Sequence, residues 1–211
     1  MILEQLILET NQIAELKHFY KYVLDLQVPE ESWNSFIIKV GFTQLMFTET
    51  KHNNEPFYHF AINIPSNKLE KAKAWITERG VELNIEDDKD EVFFQSWNAN
   101  SIYFEDPAGN IVELIARHNL PNAREGKFTS DDMLNVSEIG IAREQVLPLV
   151  RVLNEKGIPS WREEDEDFTP VGNEEGLIIV VKRGRPWYFS SKNAEIYPVT
   201  LFIKEVGELH L

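Results

Sequence analysis

Apolar and polar positions along the chain follow two periods that recur in the same order three times. Short runs open on a polar residue and continue apolar, as in Gln5-Leu6-Ile7-Leu8, His59-Phe60-Ala61-Ile62 and Glu138-Ile139-Gly140-Ile141. Alternate residues of such a run share one face, the signature of a β-strand. Each run is followed by apolar residues at helical spacing: Ile13, Leu16, Tyr20, Val23 and Leu24, then Leu69, Ala72 and Ile76, then Val146, Val150 and Leu153. A stripe of that kind predicts an amphipathic helix laid on a sheet. Asn67 followed by Glu70 reads as a capping box, and Gly80 and Gly157 stand where a helix C-terminus favours a left-handed residue. Further strands are predicted over 36–40, 43–48, 92–95, 101–104, 111–115, 177–181 and 199–203.

Each unit therefore reads as β-α-β-β-β, which makes the chain α+β. Gln5, His59 and Glu138 take the same register at the head of their units. The polar loop 51–56 separates the first two units, 1–50 and 57–117, which are expected to pair within one region, 1–119. A polar stretch with Pro121 and Gly126 predicts a linker over 120–132 before a third, βαβββ-like unit at 133–206. A lone unit of this kind leaves a sheet face uncovered, so the third unit is expected to pack on the first pair, on a second copy or on both, and a homodimer is expected.

Composition narrows the function. Hydrophobic residues at 43% and charged residues at 27% of 211 suit a globular fold. The 35 acidic against 21 basic side chains give a net charge of −14, which sets the chain against phosphate backbones and anionic lipid surfaces, so neither nucleic acid nor membrane is an expected partner. The N-terminus has no signal-peptide pattern, and no run approaches the roughly 20 apolar residues of a membrane span. Zero cysteines remove disulfides, thiolate metal sites and thiol nucleophiles together, and fit a cytoplasmic address. The acidic runs 86–91 and 163–167 read as solvated loops.

Chemistry concentrates in Phe104-Glu105-Asp106-Pro107-Ala108-Gly109-Asn110-Ile111-Val112-Glu113-Leu114. Asp106, Pro107 and Gly109 account for a hairpin turn. A hairpin does not account for Glu113, a carboxylate in the middle of an apolar strand, where burial is costly unless the group is paired, protonated or metal-bound. His59 raises the same question on its own strand. Trp97, Tyr103, Trp187 and Tyr188 suit either an aromatic pocket or the core, and Lys182, Arg183 and Arg185 suit either an anion clamp or a solvated hairpin tip.

The run at 104–114, with Tyr58-His59-Phe60-Ala61-Ile62-Asn63-Ile64-Pro65 and the opening at 6–26, resembles the glyoxalase, bleomycin resistance and extradiol dioxygenase group, the vicinal oxygen chelate superfamily. The resemblance implies two βαβββ units paired into a curved sheet around a cavity. It also implies a small-molecule substrate or ligand and metal ligands from the first and last strands. Carried over by position, it names Gln5, His59 and Glu113 as ligands of a divalent ion (Zn, Ni, Mn or Fe), with Glu113 as the catalytic carboxylate. Ring-cleaving members have histidine where Gln5 stands. The last strand of the first unit offers Gln44, Met46 and Thr48 in place of a second glutamate, and Thr200 is assigned the register of Glu113 in the third unit.

Three readings follow. One is a metal-dependent lyase or isomerase of glyoxalase type, or a ring-cleaving dioxygenase, acting on a small oxygenated molecule. The second is a metal-free protein that binds or sequesters a small molecule. In the third, His59 and Glu113 pair with each other and serve structure alone.

Overall fold

The computed structural model describes residues 1–51 and 55–211. Residues 52–54 of the polar loop 51–56, His52 among them, lie outside the described residues. The first unit comprises β1 (Leu3–Thr10), α1 (Ile13–His18), β2 (Gln27–Glu31), β3 (Ser35–Val40) and β4 (Thr43–Glu49), with a π-helical turn, Phe19–Val23, continuing α1. The second comprises β5 (His59–Ile64), α2 (Leu69–Thr77), β6 (Val92–Phe94), β7 (Ala99–Glu105) and β8 (Ile111–Arg117). Then follow β9 (Asn135–Arg143), α3 (Val146–Glu155), β10 (Phe168–Asn173), β11 (Gly176–Lys182), β12 (Val199–Ile203) and β13 (Gly207–His210).

Two sheets result. One has six strands in the order β13-β12-β1-β4-β3-β2, the other seven in the order β10-β11-β9-β5-β8-β7-β6. Every unit places its first strand parallel to its last, β1 to β4, β5 to β8 and β9 to β11, with the helix crossing between them. The third unit has no full second strand; a single bridge, Ser160 to Val171, stands in its place.

The pairing differs from the expected one. The curved sheet joins the second unit to the third, because β5 runs antiparallel to β9, with Phe60 opposite Ile139 and Ala61 opposite Glu138. The equivalent edge of β1 is taken by β12, with Leu6 opposite Leu201 and Leu8 opposite Val199. All three first strands carry the same alternation, so hydrophobic pattern alone could not choose β5's neighbour. The last strand of the third unit is accordingly β11, and Ile179 opposite Gly140, not Thr200, takes the register of Glu113 opposite Ala61.

The stretch before β9 is strapped to the second unit. Asn122 accepts from the Ser66 amide, and Asn67 exchanges bonds with the backbone of Arg124. Lys68 makes a buried ion pair with Asp132 at 2.9 Å. Asn67 thus bonds to this strap, the N-cap of α2 being Lys68 with no side-chain cap bond. Gly80 and Gly157 do adopt the expected left-handed conformation, at φ +77° and +85°.

The seven-stranded sheet has two unlike faces. Phe60, Ile62, Ile64, Val112, Leu114, Ile139 and Ile141 point into the principal core with Ala72 and Ile76 of α2 and Val150 and Leu153 of α3. Alternation sends His59, Ala61, Asn63, Glu113 and Glu138 to the opposite, concave face.

Candidate metal centre and its cavity

Strand register assembles the site. Across the concave face, Glu113 on β8 and Glu138 on β9 both stand opposite Ala61 of β5. Two carboxylates therefore flank the smallest side chain of the row, and His59 lies two residues along on the same strand. One ligand atom from each of His59, Glu113 and Glu138 falls within 4.8 Å of the others, and all three residues are buried.

The histidine is oriented by the backbone. Its Nδ1 lies 3.2 Å from the Ile111 carbonyl, which can only accept, so Nδ1 carries the proton and donates. Nε2 is left with its lone pair, 3.6 Å from Glu113 Oε2. Burial lowers the imidazole pKa to about 4, helped by the charge of Arg185 and opposed by the Ile111 bond. The ring is neutral at pH 7 and has a metal ligand's tautomer, with its second nitrogen held by a carbonyl.

Burial pushes the Glu113 carboxyl up to about 8, and the neighbouring charge of Glu138 adds to the rise. Glu138 is also raised by burial, but the guanidinium of Arg117 pulls it back. Arg117, fully buried, donates from Nη2 to Glu138 and from Nε to Asn63 Oδ1 at 3.1 Å. Its Nη1 has no hydrogen-bond partner among the described residues. Both carboxyls are thus raised by burial, and of the two it is Glu138 that forms the ion pair with Arg117.

The group opens onto a cavity of about 430 Å³. Its walls are Phe94, Trp97, Tyr103, Phe168, Trp187 and Tyr188, with Ile115 and Ile179 between them and Asp165 and Arg185 also lining it. The segment after β11 forms much of this wall. Trp187 lies 4.9 Å from the His59 ring between centroids, and Phe189 stacks on Tyr103 at 5.0 Å and 9°. Gly140 makes room for Trp187, since a Cβ there would come within 2.4 Å of the indole. The segment is fastened at the end of its aromatic run and just beyond it: Asn84 donates to the Phe189 carbonyl, and Lys192 pairs with Glu105 at 2.8 Å. Of the alternatives open for Trp97, Tyr103, Trp187 and Tyr188, the structure supports the pocket.

No family model matches this chain, and no curated protein does. Solved structures do. A candidate dioxygenase from Bacillus subtilis superposes with a TM-score of 0.64 at 16% identity, over 86% of this chain and 63% of its own. Two variants of glyoxalase I from Zea mays superpose with TM-scores of 0.59 at 12% identity, over 86% and 92% of this chain and 68% and 70% of theirs. The chain has the fold of these glyoxalase and dioxygenase structures. It spans less than two thirds of the length of the Bacillus subtilis protein.

Within this fold the expected ligands separate. His59 and Glu113 come together. Gln5 does not join them: it sits on the six-stranded sheet, donates to Gln44 Oε1 at 3.2 Å and pairs in register with Phe202. Its place beside His59 is taken by Glu138. The register equivalence of Glu138 with His59 was visible in the sequence; what hid its placement beside His59 was the choice of the first unit as the partner of the second.

Proposed function

We propose that the chain is a divalent-metal-dependent enzyme acting on a small oxygenated molecule, with His59, Glu113 and Glu138 as the metal ligands. The carrying observation is the convergence of one neutral imidazole and two carboxylates within 4.8 Å on the buried wall of a cavity. The donor set fits such an ion. The imidazole presents a free lone pair, the carboxylates supply negative charge, and burial makes an unpaired Glu113 costly. A bound divalent ion supplies Lewis acidity toward neighbouring oxygens of the ligand.

The protein's own residues supply the rest. Trp187 and Tyr103 shield the histidine from water and bound the space left for a planar molecule. Arg117 holds Glu138 in place through a charge-assisted bond. Glu113 would be the carboxylate that holds and returns a proton during the reaction. One histidine with two carboxylates departs from the two-histidine, one-carboxylate triad of iron oxygenases. Lyase or isomerase chemistry by proton transfer is accordingly preferred to ring cleavage by oxygen.

The test is metal content of untagged protein after incubation with Mn²⁺, Fe²⁺, Ni²⁺ or Zn²⁺ and desalting. One equivalent is expected in the parent and in Gln5→Ala, and much less in His59→Ala, Glu113→Ala and Glu138→Ala. A parent that retains none of the four metals overturns the reading. The second reading, a metal-free binding protein, is favoured by Arg117: with Glu113 protonated, its guanidinium balances Glu138 and the group is neutral without an ion. A cytoplasmic location and a homodimer belong to the same proposal.

A further inference from the structure

The cavity also contains a cation that the metal centre does not use. Resting on the reading of this cavity as the ligand site, we propose that Arg185 is its anion-recognising residue. The ligand class is a planar aromatic or conjugated molecule carrying one carboxylate.

Arg185 lies on the segment that follows β11 and is half-buried. Its guanidinium sits over the Phe168 ring at 4.9 Å and near the Tyr188 ring at 5.8 Å. These contacts occupy the flat faces of an arginine and leave its edge donors to bind a carboxylate side-on. Its one hydrogen bond from the side chain runs to the adjacent carbonyl, Pro186, at 3.3 Å. No carboxylate among the described residues lies within ion-pair distance of it. The other cations of the segment are committed: Lys182 to Asp167 at 3.2 Å, Arg183 to Glu144 and Glu195 at 3.0 and 2.8 Å, and Lys192 to Glu105 at 2.8 Å. Asp165, the acid that shares the cavity wall, is turned to its own backbone, where Oδ1 accepts from the amides of Asp167 and Phe168.

An uncommitted guanidinium in a chain of net charge −14 is conspicuous, since acids surround it in excess. Aromatic rings line the space between it and the His59 group, and rings stack best against flat apolar faces. The ligand this selects has a ring or conjugated plane between the walls, a carboxylate at Arg185 and its oxygens toward His59, Glu113 and Glu138. A neutral polyol or a dianionic phosphate matches neither the walls nor the single cation.

The experiment uses full-length protein with and without one equivalent of Mn²⁺. Binding of 3,4-dihydroxybenzoate and of its neutral isostere 3,4-dihydroxybenzamide is followed by quenching of tryptophan fluorescence. Losing a charge-assisted bond is expected to make the amide bind about tenfold more weakly than the acid in the parent. Arg185→Gln should bring the two to equal affinity, and Arg185→Lys should keep part of the difference, with circular dichroism confirming that both variants fold. Equal affinities in the parent, no binding of either probe, or a preference for acid that survives in Arg185→Gln overturns the proposal. The metal reading fails separately: a preference for acid that is lost in Arg185→Gln, with no gain in affinity from Mn²⁺ and none lost in His59→Ala, sinks the metal centre and leaves Arg185 in place.

Discussion

Glu113 is the residue at which burial and charge compete most directly. Its carboxyl is raised from 4.5 to about 8, burial being the first cause and the charge of Glu138 the second. A folded-state pKa above the unfolded one means that the folded protein holds the proton more tightly. Its contribution to stability is therefore full below about pH 4.5 and is lost as pH rises toward 8 and beyond. Metal-free protein should lose on the order of 2 to 4 kcal/mol from this group between pH 5 and 9. Glu113→Gln should flatten that profile, as read by urea unfolding at each pH, whereas a parent profile already flat over this range would contradict the assignment. Arg117 shows why the sequence was silent on part of the site. An arginine at the end of a strand ordinarily lies in water; only the antiparallel arrival of β9 brings Glu138 to it and closes water out.

At the scale of the element, the segment after β11 depends on a glycine of another strand. The Trp187 indole occupies the space a Cβ at Gly140 would fill. Gly140→Ala should displace the indole from His59 at a cost of about 1 to 3 kcal/mol, the usual range for overpacking. A shift in tryptophan emission with a lowered melting temperature would report it, and an unchanged spectrum would show that the indole is not seated there. The elements most visible in the sequence were the three first strands and the crossing helices, whose apolar periods are regular. Three strands were not foreseen, each for a physical reason. The sequence of β2 is Gln27-Val28-Pro29-Glu30-Glu31 at a sheet edge, exposed at most positions and without an apolar alternation. In β10, Pro170 and Gly172 imitate a turn, and β13 is only four residues with two ionisable ones. Arg185 was legible as a possible anion clamp together with Lys182 and Arg183; sequence spacing could not tell which of the three turns inward.

For the whole molecule, the expectation of a homodimer changes its ground. The third unit finds its cover inside the chain, through β5 and β9. What stays open is one face of the six-stranded sheet, where Ile7, Met46 and Phe202 are only partly buried beside Gln5 and Gln44. A second copy seated there would bury them, and sedimentation equilibrium should show a dimer that Met46→Glu dissociates while metal content is unchanged. A concentration-independent monomer would be the contrary result. The fold class and repeat were readable from periodicity, but which units share a sheet was not, because identical alternations make the alternatives equivalent until the chain closes.

The two faces of the seven-stranded sheet carry separate inheritances. Phe60, Ile62, Val112 and Leu114 answer to α2 and the core, while their immediate neighbours His59 and Glu113 line the cavity. The spacing between the side chains of neighbouring strands on that face is set by the distance between hydrogen-bonded strands, which no side-chain replacement alters. A lineage built on this sheet can therefore exchange one cavity side chain for another through single substitutions that the packed face does not register.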